Sequence, residues 1–348
     1  MAKASVLPTD VSQALAAVGQ RLENSLSVEA ELPAAVAGIA ALPPAILSRA
    51  DRAISTAARL YERRPPSLAE RLSRRRVSDA EQLRKLPDLS CLFLFHNIGQ
   101  IREEALRRIE GGLPSPFLFA AVVLRLNDWA PPVRSAAFEC ARRCFPMTPP
   151  EVIAEAAMDL LLRQDSWQRW DREREVVDMA FARPDVGAKL ADLILNAQTG
   201  PASRVLRAAL KQDSLDPHLE RMAGQAKQPS VRALAVRTIA EMKASWHAGT
   251  EYKWIDKSMG ERVQVPILAS RALTPRLPRQ AVVAAATLDR SALVRRAALD
   301  ALILHPVTSD QMRELAGRLA RDTSRSVRER AAFILSRHPE MPLSAGPM

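Results

Sequence analysis

The chain has 348 residues, 47% of them apolar but only 4% aromatic, and carries a formal charge of +11 at neutral pH. This composition excludes a disordered chain, and a core of Ala, Leu and Val suits closely packed helices better than sheets. Only 12 glycines stand against 25 prolines, and most prolines fall between periodic segments, where they stop one helix or begin the next.

The N-terminal residues reach Pro8 and Asp10 before any apolar run develops. No secretory signal is therefore expected, no stretch is long enough for a bilayer span, and a cytoplasmic location is the default. Residues 10–26, 33–42 and 45–63 read as helices separated by Pro33, by Pro43-Pro44 and by Pro65-Pro66. Together residues 1–90 read as a helical N-terminal cap or a set of degenerate repeats. Basic residues dominate from 63 to 85, the sign reverses between 151 and 192, and arginine again outnumbers acid from 271 to 337. Solvated helix faces explain such a pattern as well as a partner of mixed polarity does, and self-association is left open.

Residues 91–338 carry an internal repeat. Each copy opens on a β-branched residue followed by Arg, with Ala four places after the first residue and an apolar residue four further on. The copies are Ile101-Arg102 with Ala105 and Ile109, and Val133-Arg134 with Ala137 and Ala141. Val231-Arg232 with Ala235 and Ile239, Val294-Arg295 with Ala298 and Leu302, and Val327-Arg328 with Ala331 and Leu335 continue the series. Positions i, i+4 and i+8 share one helix face, and the small Ala lets a second helix approach closely. Weaker copies are centred on Arg174 and on Arg207. Residues 265–273 keep the frame, with Pro266 in the Arg position. Amphipathic helices at 117–126 and 311–320 flank the copies, and the spacing is that of one helical hairpin. Asp128, Asp289 and Asp322 each stand six residues upstream of an Arg, in the turn before the helix.

These residues resemble the HEAT-repeat family, whose units carry an Asp in that turn and a Val-Arg pair opening the second helix. The resemblance covers roughly residues 97–338. It implies an all-α fold, a right-handed α-solenoid of stacked antiparallel helical hairpins. It also implies that Arg102, Arg134, Arg232, Arg295 and Arg328 form a structural ladder with Asp128, Asp289 and Asp322. Residues 339–348 read as a flexible tail.

Chemistry-bearing motifs are scarce. The chain has no Gly-rich phosphate loop, no His-Glu-x-x-His and no Gly-x-Ser-x-Gly. Cys91, Cys140 and Cys144 cannot build a disulfide framework. Cys140 and Cys144 lie one helical turn apart without a His nearby to complete a metal site, so no metal or other cofactor is expected. Two segments depart from the repeat. Trp167 and Trp170 lie among carboxylates, and Trp170-Asp171 with Asp178 is similar to the Trp-Asp stretch of HEAT-like DNA glycosylases that excise alkylated bases. That resemblance implies Trp170, Asp171, Asp178 and Arg207 as its site residues, while the residues themselves also read as core-capping tryptophans.

The second departure is an irregular loop at 247–262, bracketed by Gly249 and Gly260, which takes the place of the expected first helix. It holds Tyr252, Lys253, Trp254 and Lys257, and interleaved aromatic and basic residues suit either a protein hot spot or stacking on bases. Trp254 tucked over the gap is the bland alternative. The leading expectation is a non-enzymatic scaffold that docks a protein partner through its concave helix face and this loop. Arg237, Lys243, Arg296 and Arg330 are further partner-binding candidates: one basic stripe with Lys253 favours the alternative, a nucleic-acid-binding protein, and a mixed-sign face favours a protein partner. The resemblance to the HEAT-like DNA glycosylases implies a third reading, a base-excision enzyme.

Overall fold

The computed structural model describes residues 5–61, 78–170, 172–274 and 277–338. Asp171, most of the basic 63–85 segment and the 339–348 tail lie outside the described residues. The chain divides into two compact units, Met1–Val186 and Gly187–Met348.

In the first unit the described helices are α1 (Thr9–Glu23), α2 (Leu32–Ala40), α3 (Leu47–Ala57), α4 (Asp79–Lys85), α5 (Leu89–Phe93), α6 (Gly99–Arg108), α7 (Pro116–Leu126), α8 (Pro131–Cys144), α9 (Pro150–Arg163) and α10 (Arg174–Phe181). Helix α11 (Pro184–Asn196) crosses the division. The second unit continues with α12 (Ala202–Ala209), α13 (Leu219–Gln225), α14 (Pro229–Glu241), strands β1 (Lys243–Asp256) and β2 (Glu261–Ala272), α15 (Arg279–Ala286), α16 (Ala292–Leu304), α17 (Ser309–Leu319) and α18 (Arg325–Arg337). Among the described residues the fold is therefore predominantly helical, with one two-stranded antiparallel sheet. The expectation of a helical fold holds, and that small sheet is the departure from all-α.

Helix starts follow the local chemistry. Pro116, Pro131, Pro150 and Pro229 occupy first-turn positions, where a missing N–H costs nothing. Ser78, Ser115 and Thr308 cap their helices by accepting from the amides of Glu81, Leu118 and Gln311. Within each unit the Arg-bearing helices pack side by side, α6 on α8 on α10 and α12 on α14 on α16 on α18. The intervening helices make a second row, α7 with α9 and α13 with α15. The repeat alanines Ala105, Ala137, Ala235, Ala298 and Ala331 are all fully buried, as are Val231, Val294 and Val327. A larger side chain at any of those alanines would hold neighbouring helices apart.

The sheet stands where a loop and a helix are expected. Residues 265–273 have the i, i+4 spacing of a helix, but Val263, Val265, Ile267 and Ala269 also alternate with period two. Three of those four are β-branched, and a pleated pairing with β1 satisfies them. Nor does the segment replace the first helix of its repeat, because that helix is present as α15. The hairpin is an addition, inserted at one point between α14 and α15. Met242 caps α14 in the left-handed region at φ 49° and turns the chain into β1. Lys243 then pairs with Ala272, and the Leu273 amide donates to the Met242 carbonyl at 3.1 Å, which returns the chain to its point of departure.

Candidate interaction site

The repeat arginines are spent on the backbone and carboxylates of the inter-helix turns. In every copy the Arg Nη1 donates to the carbonyl six residues upstream: Arg102 to His96 at 2.7 Å, Arg134 to Asp128 at 3.0 Å, Arg232 to Ala226 at 2.7 Å, Arg295 to Asp289 at 2.8 Å and Arg328 to Asp322 at 2.7 Å. The other edge of the guanidinium grips the carboxylate of a later turn in a two-point fork. Arg102 holds Asp128 at 2.9 Å twice, Arg232 holds Asp289 at 2.7 and 2.8 Å, and Arg295 holds Asp322 at 2.6 and 2.8 Å. Each Asp also accepts the amide two residues on, from Ala130, Ser291 and Ser324. Burial pushes the carboxyls of Asp128 and Asp289 up, but the hydrogen bonds and charges of their arginines outweigh it and leave both below the usual carboxylate range. For Asp322 the hydrogen bond from Arg295 leads, with the same result.

Arg232 and Asp289 are 57 residues apart in sequence, where Arg102 and Asp128 are 26 apart and Arg295 and Asp322 are 27. The excess matches the hairpin, whose strands have 14 and 12 residues. The ladder thus runs past the insertion without a break. It is interrupted elsewhere: Arg134 reaches Glu173 at 3.6 Å, and Leu206, fully buried, occupies the Arg position of α12.

Beyond its base, where Ala244 is buried, the hairpin is largely exposed. Its ladder pairs His247 with Leu268, Thr250 with Pro266, Tyr252 with Gln264, Lys253 with Val263 and Trp254 with Arg262. Bulges at 247/249 and 254/256 bracket a regular stretch. Gly260, at φ 69°, supplies the left-handed residue of the turn, and the Asp256 carboxylate accepts the amides of Ser258 and Met259 across it. Because ladder partners share a face, His247, Tyr252, Trp254, Arg262 and Leu268 lie on one side. Lys253, Glu251, Val263 and Ile267 lie on the other. Trp254 is 53% exposed and Leu268 64%, so the tryptophan does not tuck over a gap. The Arg262 guanidinium covers the Tyr252 ring at 4.4 Å. Ile255 and Met259 are exposed at the tip.

One residue that sequence reading missed anchors this element. Arg271 on β2 forks the fully buried Asp216 carboxylate at 2.7 Å twice and donates to the Leu210 carbonyl at 3.0 Å. Asp216 also accepts the Thr274 amide at 3.0 Å. Nothing in the spacing pointed to it, since a pairing 55 residues away leaves no periodic trace.

The remaining candidates are dispersed. Lys243 is exposed at the hairpin base, Arg237 is half-buried on α14, and Lys257 is in the turn. Arg330 is bonded to Asp300 and to the Ser326 carbonyl, so it is not a free member of a basic stripe. Arg296 is half-buried on α16. Lys253 lies 3.4 Å from Glu251, which makes the hairpin charge mixed. Trp170 is 3% exposed, with the Trp167 ring centroid 4.9 Å away and Arg174 over it at 5.8 Å. Asp178 is paired with Arg174 at 3.4 Å, and Arg207 is exposed on α12. A ring so buried offers almost no surface to a ligand. Cys140 and Cys144 are buried with their sulfurs 3.9 Å apart, and burial pushes the Cys91 thiol up to about 11. Among the described residues, no group of three His, Cys, Asp or Glu side chains could hold a metal ion. No single described helix is long and apolar enough to cross a membrane. No protein-family model matches the chain, and no curated protein is similar to it at a significant level.

Proposed function

We propose that this chain is a HEAT-like α-solenoid scaffold of the cytoplasm, without catalytic activity of its own, that docks a protein partner through the 243–272 hairpin and the adjoining helix face. The two rows of packed helices and the recurring six-residue Arg-to-carbonyl staple support the solenoid reading. The observation that carries the docking reading is the exposure of Trp254, Tyr252, Ile255, Met259 and Leu268 on an element that the Arg232–Asp289 rung passes without a break. A two-stranded hairpin is marginally stable alone in water, and exposed aromatic side chains on such an element favour a surface completed by a partner. The mixed charge, with Glu251, Asp256 and Glu261 among Lys253, Lys257 and Arg262, favours protein over a phosphate backbone.

Affinity capture with and without nuclease, comparing the wild type with Trp254→Ala, tests this. A nuclease-resistant protein partner is expected, its affinity falling by about 2 kcal/mol in the variant as for an aromatic hot spot. The fold should be unchanged to within about 0.5 kcal/mol because the ring is exposed. Loss of every captured partner on nuclease treatment would show a nucleic-acid-binding protein instead.

A further inference from the structure

We propose that the hairpin joins two copies of this chain, β1 of one copy pairing antiparallel with β1 of the other about a two-fold axis at Tyr252. This inference rests on the reading of the hairpin as a protein-docking surface and names its occupant.

A sheet of two strands leaves one edge of each strand open. The two edges are not equivalent. Pro266 stands in the middle of β2, paired with Thr250. Proline is tolerated in a strand where its missing N–H faces outward, so the open edge of β2 lacks a donor at its centre. β1 contains no proline, and between its two bulges it offers the regular stretch from Gly249 to Trp254.

The charges of that stretch select one register. Antiparallel partners share a face of the sheet, so two identical strands can pair only with the axis passing through a residue. An axis at Glu251 sets Glu251 against its own copy, and an axis at Lys253 sets Lys253 against its own copy. Like charges directly opposite oppose pairing. An axis at Thr250 brings Tyr252 against Ala248, inside the bulge. With Tyr252 on the axis, Glu251 of each copy faces Lys253 of the other, and Thr250 of each faces Trp254. Lys253 and Glu251 are already 3.4 Å apart within one copy and largely exposed. In the pair the four charges alternate in sign around the axis. The arrangement is self-complementary and closed, and Pro266 at the remaining edges stops further addition of strands.

The test is the mass in solution of the whole chain, 38.3 kDa as a single copy, by light scattering or sedimentation. The wild type is expected to be a dimer that dissociates on dilution. Lys253→Glu and Glu251→Lys are each expected to be monomeric with unchanged helical circular dichroism, and the double reversal Glu251→Lys with Lys253→Glu is expected to recover the dimer. Under mild oxidation Tyr252→Cys should form a disulfide-linked dimer, since Cα atoms facing each other across an antiparallel pair are about 4.5–5.5 Å apart. Thr250→Cys, which faces Trp254, should not, and the wild type controls for the native cysteines. A monomeric wild type, a dimer that survives both single reversals, or cross-linking at Thr250→Cys and not at Tyr252→Cys would each overturn the proposal. Its failure is distinct from that of the docking reading. A monomer whose Trp254→Ala variant still loses a nuclease-resistant partner refutes only the second copy as occupant. A Trp254→Ala variant that keeps every partner refutes the docking surface.

Discussion

Arg102 and Asp128 show what a repeat arginine does at the scale of one residue. The side chains are 4% and 1% exposed, the guanidinium fork fills both carboxylate oxygens, and Nη1 closes its own turn. Asp128 receives Arg125 as well, at 3.1 Å, and Arg125 extends to Asp51 on α3. One carboxylate therefore ties the N-terminal helices to the repeat. Removing one partner of such a pair leaves a buried charge without compensation, which costs about 3–5 kcal/mol. Arg102→Ala is expected to lower the unfolding free energy by that amount in denaturant titration. Arg102→Lys should recover little, because a single ammonium cannot reproduce the two-point grip together with the carbonyl bond. Arg271→Ala should behave similarly, about 3 kcal/mol, since it strands the fully buried Asp216. Hydrogen exchange at the Lys243–Ala272 end of the hairpin would report the accompanying loosening.

Among the elements, the hairpin and the helices around it differ in how they depend on one another. Arg232 grips Asp289 past the insertion, and α14 packs on α16 without the strands intervening. Excising residues 246–269 and joining Ser245 to Ser270 through Asn-Gly, a dipeptide suited to a two-residue hairpin turn, keeps the Arg271–Asp216 anchor. The shortened protein is expected to retain its helical circular dichroism, with a melting temperature within roughly 4 °C of the wild type, the shift of about 1 kcal/mol or less. Its partner should be lost. A collapse of helical signal would mean that the strands support the helices, contrary to the ladder geometry.

For the whole molecule, the three ladder carboxylates lie in both units, and all have pKa values held below the ordinary range. The unfolded chain, with Asp near 3.9, therefore binds more protons than the folded one as pH falls. Their contribution is whole above the unfolded value and is lost as pH drops through about 4 toward the folded values. On their account melting temperature should be level between about pH 7 and 5 and fall steeply below 4. Asp289→Asn should melt lower at neutral pH and show a shallower acid decline. An equal slope in the variant would remove Asp289 from the acid response.

The helical character of the chain, the buried alanine face of each Arg-bearing helix and the six-residue spacing of Asp and Arg could all be read from the residues in order, because they depend on local periodicity and on contacts within one turn. Val265 to Leu273 could not. Its residues satisfy both a helical and a pleated period, and only the partner strand 14 residues long decides between them. The hairpin read as a lost helix for the same reason, since one-dimensional spacing cannot tell a replacement from an insertion. Three-dimensional closure settles it, with Leu273 hydrogen-bonded to Met242 and Arg232 bound to Asp289 across the gap. Trp170 and Trp254 were alike in composition of surroundings, aromatic among charges. Burial alone separates them, one sealed under Arg174 and Trp167 and the other open on a strand, and burial is a property of the packed chain.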